Sequence, residues 1–534
     1  MAFKKLFYIT TFILCSLFVF STTCLACTGV YVGSGASDDG TIMIARSNDK
    51  QTVCGNHVTV TPRVENEPGR TMPLNIISKT SVELPETTFR YTATPFMDSA
   101  FDAIANIRHD AAACANEYGV VITSSVTAFS NDAALKADPL VEAGLAEDTM
   151  SDLVICQSRT AREAVDVLLS LIDTYGSSES NIVMIADQTE AWYVEIYTGY
   201  QYAAVKLPDD QVSVFGNEYT MEYLSDYEEY RISDELLRLP EEKGFAAYGD
   251  NGELNLFDTY SGASVRKDYC HMRTWIGHQV LAPSVYSGDY DAEIRYPLTF
   301  TPDQKVSLTD VCRLMRNRFE GTDYDPDRYD RTDSRVIGTD TALSVHVLQV
   351  YPELPAEMAC VTWESTGPAV YGIFVPVSNA MTAIKSAYGK DQPAEEKGIF
   401  DTEHYPYYAY KGLCTLCVER STCQTYGEPV RDYWTDAEEL IFAGMPRILD
   451  RASKMKDRDS AADYLTAYCT FIQDQAFSDA KSLLNAVMWT QSSNSNTMKT
   501  GINPETGEVL DPERLRQPMS VTLDPTAYDK WKIG

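Results

Sequence analysis

The chain has 534 residues, and 44 Lys and Arg stand against 77 Asp and Glu, a formal net charge of −33. That balance excludes a nucleic-acid-binding surface as the main function, because phosphate recognition needs concentrated positive charge. Apolar residues make up 44%, enough for a real core, and the length exceeds that of one small domain.

Lys4 and Lys5 precede an apolar run, residues 6–20, broken only by Thr10, Thr11 and Ser16, and residues 21–26 are few and mostly small. This is the anatomy of a secretory signal peptide. A membrane span needs about 20 apolar residues, so the run is short for a stable anchor, and a soluble mature protein is expected. Cys24 and Ala26 satisfy the small-residue rule for a cut between Ala26 and Cys27. The expectation is export to the periplasm, cell envelope or medium, with Cys27 as the new N-terminus. A rival reading is a lipid-anchored binding protein acylated on Cys27, although lipoprotein processing prefers a leucine-like residue where Cys24 stands.

Residues 28–34 (TGVYVGS) and 40–47 (GTIMIARS) alternate in polarity around an Asp-Asp-Gly turn. They predict a hairpin whose first strand starts one residue after Cys27. Residues 115–126 (ANEYGVVITSSV) read as a turn and a strand. A helix is predicted from Thr160, with Glu163 completing a capping box. Its Ala161, Ala164, Val165, Leu168, Leu169 and Ile172 recur at helical spacing, and Gly176 ends it. Four strand-like runs (NIVMIAD, AWYVEIY, YQYAAVKL and QVSVFGN) fill residues 181–217, residues 305–321 read as helix, and 435–489 as mostly helix. Hairpin-built sheets with helices grouped around them predict a layered α+β domain.

Of 13 cysteines, Cys15 and Cys24 leave with the signal segment, and Cys414, Cys417 and Cys423 form the one dense cluster. A local disulfide, free buried thiols, or a zinc site completed by His404 all fit that spacing. Residues 323–330 (DYDPDRYD) hint at calcium, but Arg328 stands where an EF-hand loop needs glycine, which leaves a solvated acidic loop. No GxSxG, HExxH or GxxxxGK[ST] motif occurs.

A cysteine at a free N-terminus carries its own base. The thiol attacks a carbonyl while the α-amine, with a reference pKa of about 7.7–8.0, shuttles the proton. Arg46 and Asp49 end the second strand of the predicted hairpin, beside Cys27. There a guanidinium would favour thiolate and a carboxylate would orient the ammonium, though the same two residues also read as a plain surface ion pair. His346, in SVHVLQ, reads either as a substrate contact or as a half-buried core histidine.

The segment CTGVYVGSGASDDGTIMIARSND, together with ANEYGVVI, SRTAREAVDVLLSLIDTYG, FGNEYTM and SVHVLQVYPELPAEMACVTWESTGP, resembles the dipeptidase A peptidases. These relatives of the secernins are N-terminal-nucleophile cysteine hydrolases, distantly akin to choloylglycine hydrolases and penicillin V acylase. The resemblance covers residues 27–376, with a looser match in the C-terminal helices. It implies a four-layer αββα hydrolase domain at residues 27–430 and a mostly helical extension or lid at 431–534. It implies cleavage of short peptides, chiefly dipeptides, without a cofactor or metal, and leaves a homo-oligomer open. Residue by residue it implies Cys27 as nucleophile and Arg46 and Asp49 as its Arg-x-x-Asp partners. Asn217 would donate its amide to the oxyanion, Asn116 would lie near it on the substrate side, and Arg273 would face the substrate. Many relatives are cytoplasmic, whereas here a full signal peptide precedes the cysteine. The nearest alternative activity is hydrolysis of N-acyl amides of the bile-salt or penicillin type.

Overall fold

The computed structural model describes residues 27–49, 56–95, 111–262, 267–331, 334–396 and 398–498. The predicted signal segment and its cut, Cys54 and residues 499–534 lie outside the described residues.

Strand alternation builds the opening hairpin. β1 (Gly29–Val32) sends Val30 and Val32 to one side and Tyr31 to the other, and β2 (Ile42–Asp49) likewise divides Met43 and Ala45 from Ile42 and Ile44. The chain then makes β3 (Thr59–Thr61) and two small side ladders, β4 (Val64–Glu65) with β7 (Thr87–Thr88), and β5 (Thr71–Asn75) with β6 (Thr80–Glu83). β8 (Tyr91–Pro95), β9 (Ala111–Asn116) and β10 (Val121–Thr127) lead to helices α1 (Glu147–Ile155) and α2 (Ala161–Tyr175). Next come β11 (Asn181–Ala186), β12 (Ala191–Ile196), β13 (Tyr202–Lys206), β14 (Val212–Phe215) and β15 (Tyr230–Ile232). Helices α3 (Lys267–Leu281) and α4 (Leu308–Met315) precede β16 (Ala342–Val350), β17 (Cys360–Thr366) and β18 (Val375–Ser378). Helices α5 (Pro406–Cys417), α6 (Glu428–Ser453) and α7 (Arg458–Met498) end the described chain.

Two antiparallel sheets result, one in the order β14-β1-β2-β16-β17-β18 and the other β15-β13-β12-β11-β10-β9-β8-β3. Three hydrophobic layers define their stacking. Tyr31, Ile44, Leu348, Val121 and Met184 pack between the sheets. Ile122 and Val183 of the eight-stranded sheet pack on Leu153 and Leu168 of α1 and α2. On the six-stranded sheet, Val30, Ala45 and Val347 share one core with Trp275, Leu413, Trp434 and Ile472 from the opposite group of helices. The architecture is therefore four layers, αββα. The C-terminal helices are present, and α5, α6 and α7 form much of one outer layer.

Local signals match the elements with one shift. Thr160 Oγ1 accepts from Glu163 N at 3.1 Å, but the Glu163 carboxylate accepts from Arg159 N at 2.8 Å, one residue before the cap. Such a cap is worth about 1 kcal/mol. Gly176 ends the helix at φ 74°, a value that favours glycine. Cys414, Cys417 and Cys423 are free and buried, while His404 is exposed and bonds Asp401 at 2.8 Å. No group of three metal-ligating side chains comes together among the described residues. The loop expected to be solvated and acidic is instead anchored, since buried Asp327 accepts from Arg318 Nη2 at 2.8 Å and Nε at 2.9 Å.

Candidate active site

Cys27 sits immediately before β1, on the inner face of the six-stranded sheet, and is 2% exposed. Antiparallel pairing sets Gly29 opposite Arg46 of β2 and opposite Phe215 of β14. A Cβ on Gly29 would stand 2.3 Å from the Phe215 ring, so only glycine lets β14 close on β1 at this end.

Arg46 is buried beside the thiol. Its Nη1 donates to Cys27 Sγ at 3.5 Å, Nε to Thr123 Oγ1 at 2.9 Å and Nη2 to Ala112 O at 3.2 Å. The last two bonds tie the guanidinium to the eight-stranded sheet, so it is no surface ion pair. The Thr123 hydroxyl also bonds His346 Nε2 at 2.8 Å. His346 is wholly buried, and burial and the Arg46 charge lower its pKa, keeping the ring neutral. It stands behind Arg46 as support. Burial pushes the Cys27 thiol pKa up, Arg46 pulls it down, and Asp49 pushes it up again.

Asp49 is fully buried at the end of β2 and accepts from Arg335 Nη2 at 3.1 Å through Oδ2, while Oδ1 has no hydrogen-bond partner among the described residues. Burial raises its pKa, and Arg335 and Arg273 oppose the rise. Arg335 was not legible as a site residue, because it lies in irregular chain with no motif around it.

Arg273, on α3, is wholly buried. It donates through Nη1 to the Cys27 carbonyl and to Thr28 Oγ1 at 3.0 Å, and through Nη2 to Asn217 Oδ1 at 2.8 Å. The expected substrate-side arginine therefore grips the main chain of Cys27 from behind. Asn217 Nδ2 donates to Thr127 O at 2.7 Å, and a cavity of about 480 Å³ opens beside it, lined in part by Phe257, His271 and Tyr296.

Asn116 is the residue the structure keeps apart. Its Nδ2 donates to Ile155 O at 2.9 Å and Ser158 O at 2.7 Å, and its Oδ1 accepts from Tyr118 N and Val120 N. Both amide hydrogens are spent on carbonyls at and after the end of α1, which leaves none for an oxyanion.

Cys27, Arg46, Asp49, Asn217 and Arg273 thus form one buried cluster, joined by Thr123, His346 and Arg335. The arrangement offers a thiol beside a fixed cation, with a carboxylate at the end of the neighbouring strand.

The sequence pattern of peptidase family C69 matches residues 26–420. A probable dipeptidase B of Lactococcus lactis is 31% identical over 393 residues, covering 70% of this chain and 78% of its own. A probable dipeptidase B of Streptococcus pyogenes serotype M1 is 29% identical, covering 68% and 74%. A probable dipeptidase of Salmonella dublin is 28% identical, covering 70% and 84%. A solved conjugated bile acid hydrolase from Clostridium perfringens superimposes at TM-score 0.31 with 11% identity, covering 64% of this chain and 89% of its own, a likeness too slight to bear on fold or function. The chain belongs to peptidase family C69, the dipeptidase A family that its opening segment resembles, and is a peptide hydrolase.

Proposed function

We propose that the chain is an exported cysteine dipeptidase whose nucleophile, Cys27, becomes the N-terminal residue when the signal segment is cut away. The observation that carries this reading is the Cys27 thiol, placed 3.5 Å from Arg46 Nη1, with its own main chain held by Arg273. On this reading the thiolate attacks the peptide carbonyl and forms a thioester. The α-amine of Cys27, oriented by the unpartnered Oδ1 of Asp49, gives its proton to the departing amine and then takes one from the attacking water. Asn217 spends one Nδ2 hydrogen on Thr127 O and keeps the other for the oxyanion, where such a donor is worth about 10²–10³ in rate.

The test is mass analysis of the mature N-terminus together with assay on dipeptides and on N-acyl amino acids. A free amine on Cys27 with dipeptide hydrolysis is expected. A fatty acyl mass on Cys27, or turnover of N-acyl amino acids alone, overturns the reading.

A further inference from the structure

The pairing register carries a row of polar side chains away from the nucleophile. Gly29 faces Arg46, and Ser47 N donates to Thr28 O at 3.0 Å, so the next pair on the inner face is Cys27 and Asn48. Asn48 pairs with Ser344 of β16, and Ser344 with Thr366 of β17. One rung deeper, the same strands align Arg46, His346 and Glu364.

Asn48, Ser344 and Thr366 are essentially unexposed. Neither amide atom of Asn48 nor the hydroxyl of Ser344 has a hydrogen-bond partner among the described residues. Buried polar groups are ordinarily paired, and between two sheets these positions could hold valine or isoleucine at no such cost. Polar side chains are kept there where a ligand completes their bonds.

We infer that Asn48 and Ser344, on the two strands that follow that of Cys27, form the subsite for the free C-terminal carboxylate of a dipeptide. The inference rests on the dipeptidase reading above and specifies its substrate end. Two features favour an anion. The Asn48 amide and the Ser344 hydroxyl can both donate. Arg46, one rung away, supplies positive potential. Length favours a dipeptide. Its carboxylate follows the scissile carbonyl by one residue, about 3.3–3.6 Å of chain, and adjacent strands lie about 4.8 Å apart. With the scissile carbonyl at Sγ, the carboxylate falls at Asn48 and Ser344, where a longer peptide would bring a neutral amide.

The test compares alanyl-alanine with alanyl-alaninamide as substrates of the mature enzyme. The parent is expected to favour the free carboxylate by about 100-fold in kcat/KM. Asn48→Ala and Ser344→Ala should each cut that preference about tenfold, mainly through KM, as loss of a charge-assisted hydrogen bond does, while iodoacetamide still alkylates Cys27 at the parental rate. Ser344→Ala removes a single oxygen and serves where Asn48→Ala fails to fold. Equal turnover of the two substrates by the parent overturns the subsite. So does full preference in both variants, which would make the row a site for ordered water. Unalkylated parent whose Cys27 thiol proves reactive to iodoacetamide in a separate sample, yet which hydrolyses neither substrate, overturns the dipeptidase reading and the subsite with it.

Discussion

Arg46 reaches Cys27 Sγ with one nitrogen, at 3.5 Å, while another is held at 2.9 Å by Thr123 on the opposite sheet. The cation nearest the thiol is thereby fixed by both sheets at once. Arg46→Ala should raise the Cys27 pKa, since burial then acts without its main opponent. The pH midpoint of iodoacetamide alkylation should move upward, and kcat/KM at neutral pH should fall with it. An unchanged midpoint would show that the guanidinium does not tune the thiol.

Cys27→Ala should abolish peptide hydrolysis and leave the circular dichroism spectrum unchanged. Cys27→Ser should keep traces of activity, because a hydroxyl in the same place is the weaker nucleophile. Substantial turnover by the alanine variant would remove Cys27 from the reaction.

A chain made with any residue fixed ahead of Cys27 should lose about 10²–10⁴-fold in rate, the usual worth of general-base help, because an amide nitrogen cannot accept the proton. Verified uncleaved protein that turns over peptide at the mature rate would contradict this.

Arg335→Gln tests Asp49 through pH. Burial holds the Asp49 pKa up and Arg335 opposes that, so removing the guanidinium should raise it further. The carboxylate then protonates at higher pH, and the acid limb of kcat/KM should move to higher pH, by about one unit for each 1.4 kcal/mol of interaction lost. Asp49→Asn should lower the rate with little effect on the alkylation midpoint. A fixed acid limb in Arg335→Gln would show that Asp49 does not govern it.

Glu364 gives a stability prediction. Burial pushes its pKa from 4.5 to about 8, against the hydrogen bond from Thr94 Oγ1 at 3.0 Å. Between those two values the unfolded chain releases this proton and the folded chain keeps it. Its contribution is therefore intact below pH about 4.5 and lost at about 1.4 kcal/mol per pH unit as pH rises toward 8. Glu364→Gln, which still accepts from Thr94, should flatten that decline and raise Tm at pH 7. Parallel Tm curves for parent and variant between pH 5 and 8 would refute the assignment.

Much of this was legible in short-range pattern. The hairpin after Cys27, the helix from Ala161 to Tyr175 and the strands between 181 and 215 were readable because period-2 and period-3.6 burial imprint themselves locally. The pairing of Arg46 with Cys27 followed from the hairpin alone. Its support by His346 did not, because a register linking residues 300 apart in sequence leaves no local mark. Asn116 was brought into the site by the family resemblance alone; its Oδ1 caps the glycine turn and its Nδ2 binds the carbonyls of Ile155 and Ser158, a distant pairing that leaves no local mark. Asn48 lay between two residues that drew attention, and only its burial without partners singles it out.

The family pattern ends at residue 420, yet the core on the six-stranded sheet continues to Val487. A boundary drawn by likeness to relatives would therefore cut through the packing. Protein expressed only to that boundary would uncover β18, which packs on α7, and Trp363 of β17, whose ring packs on Phe442 of α6, a surface prone to self-association. For recombinant production and for crystallisation, the shortest sound version of this enzyme includes α6 and α7.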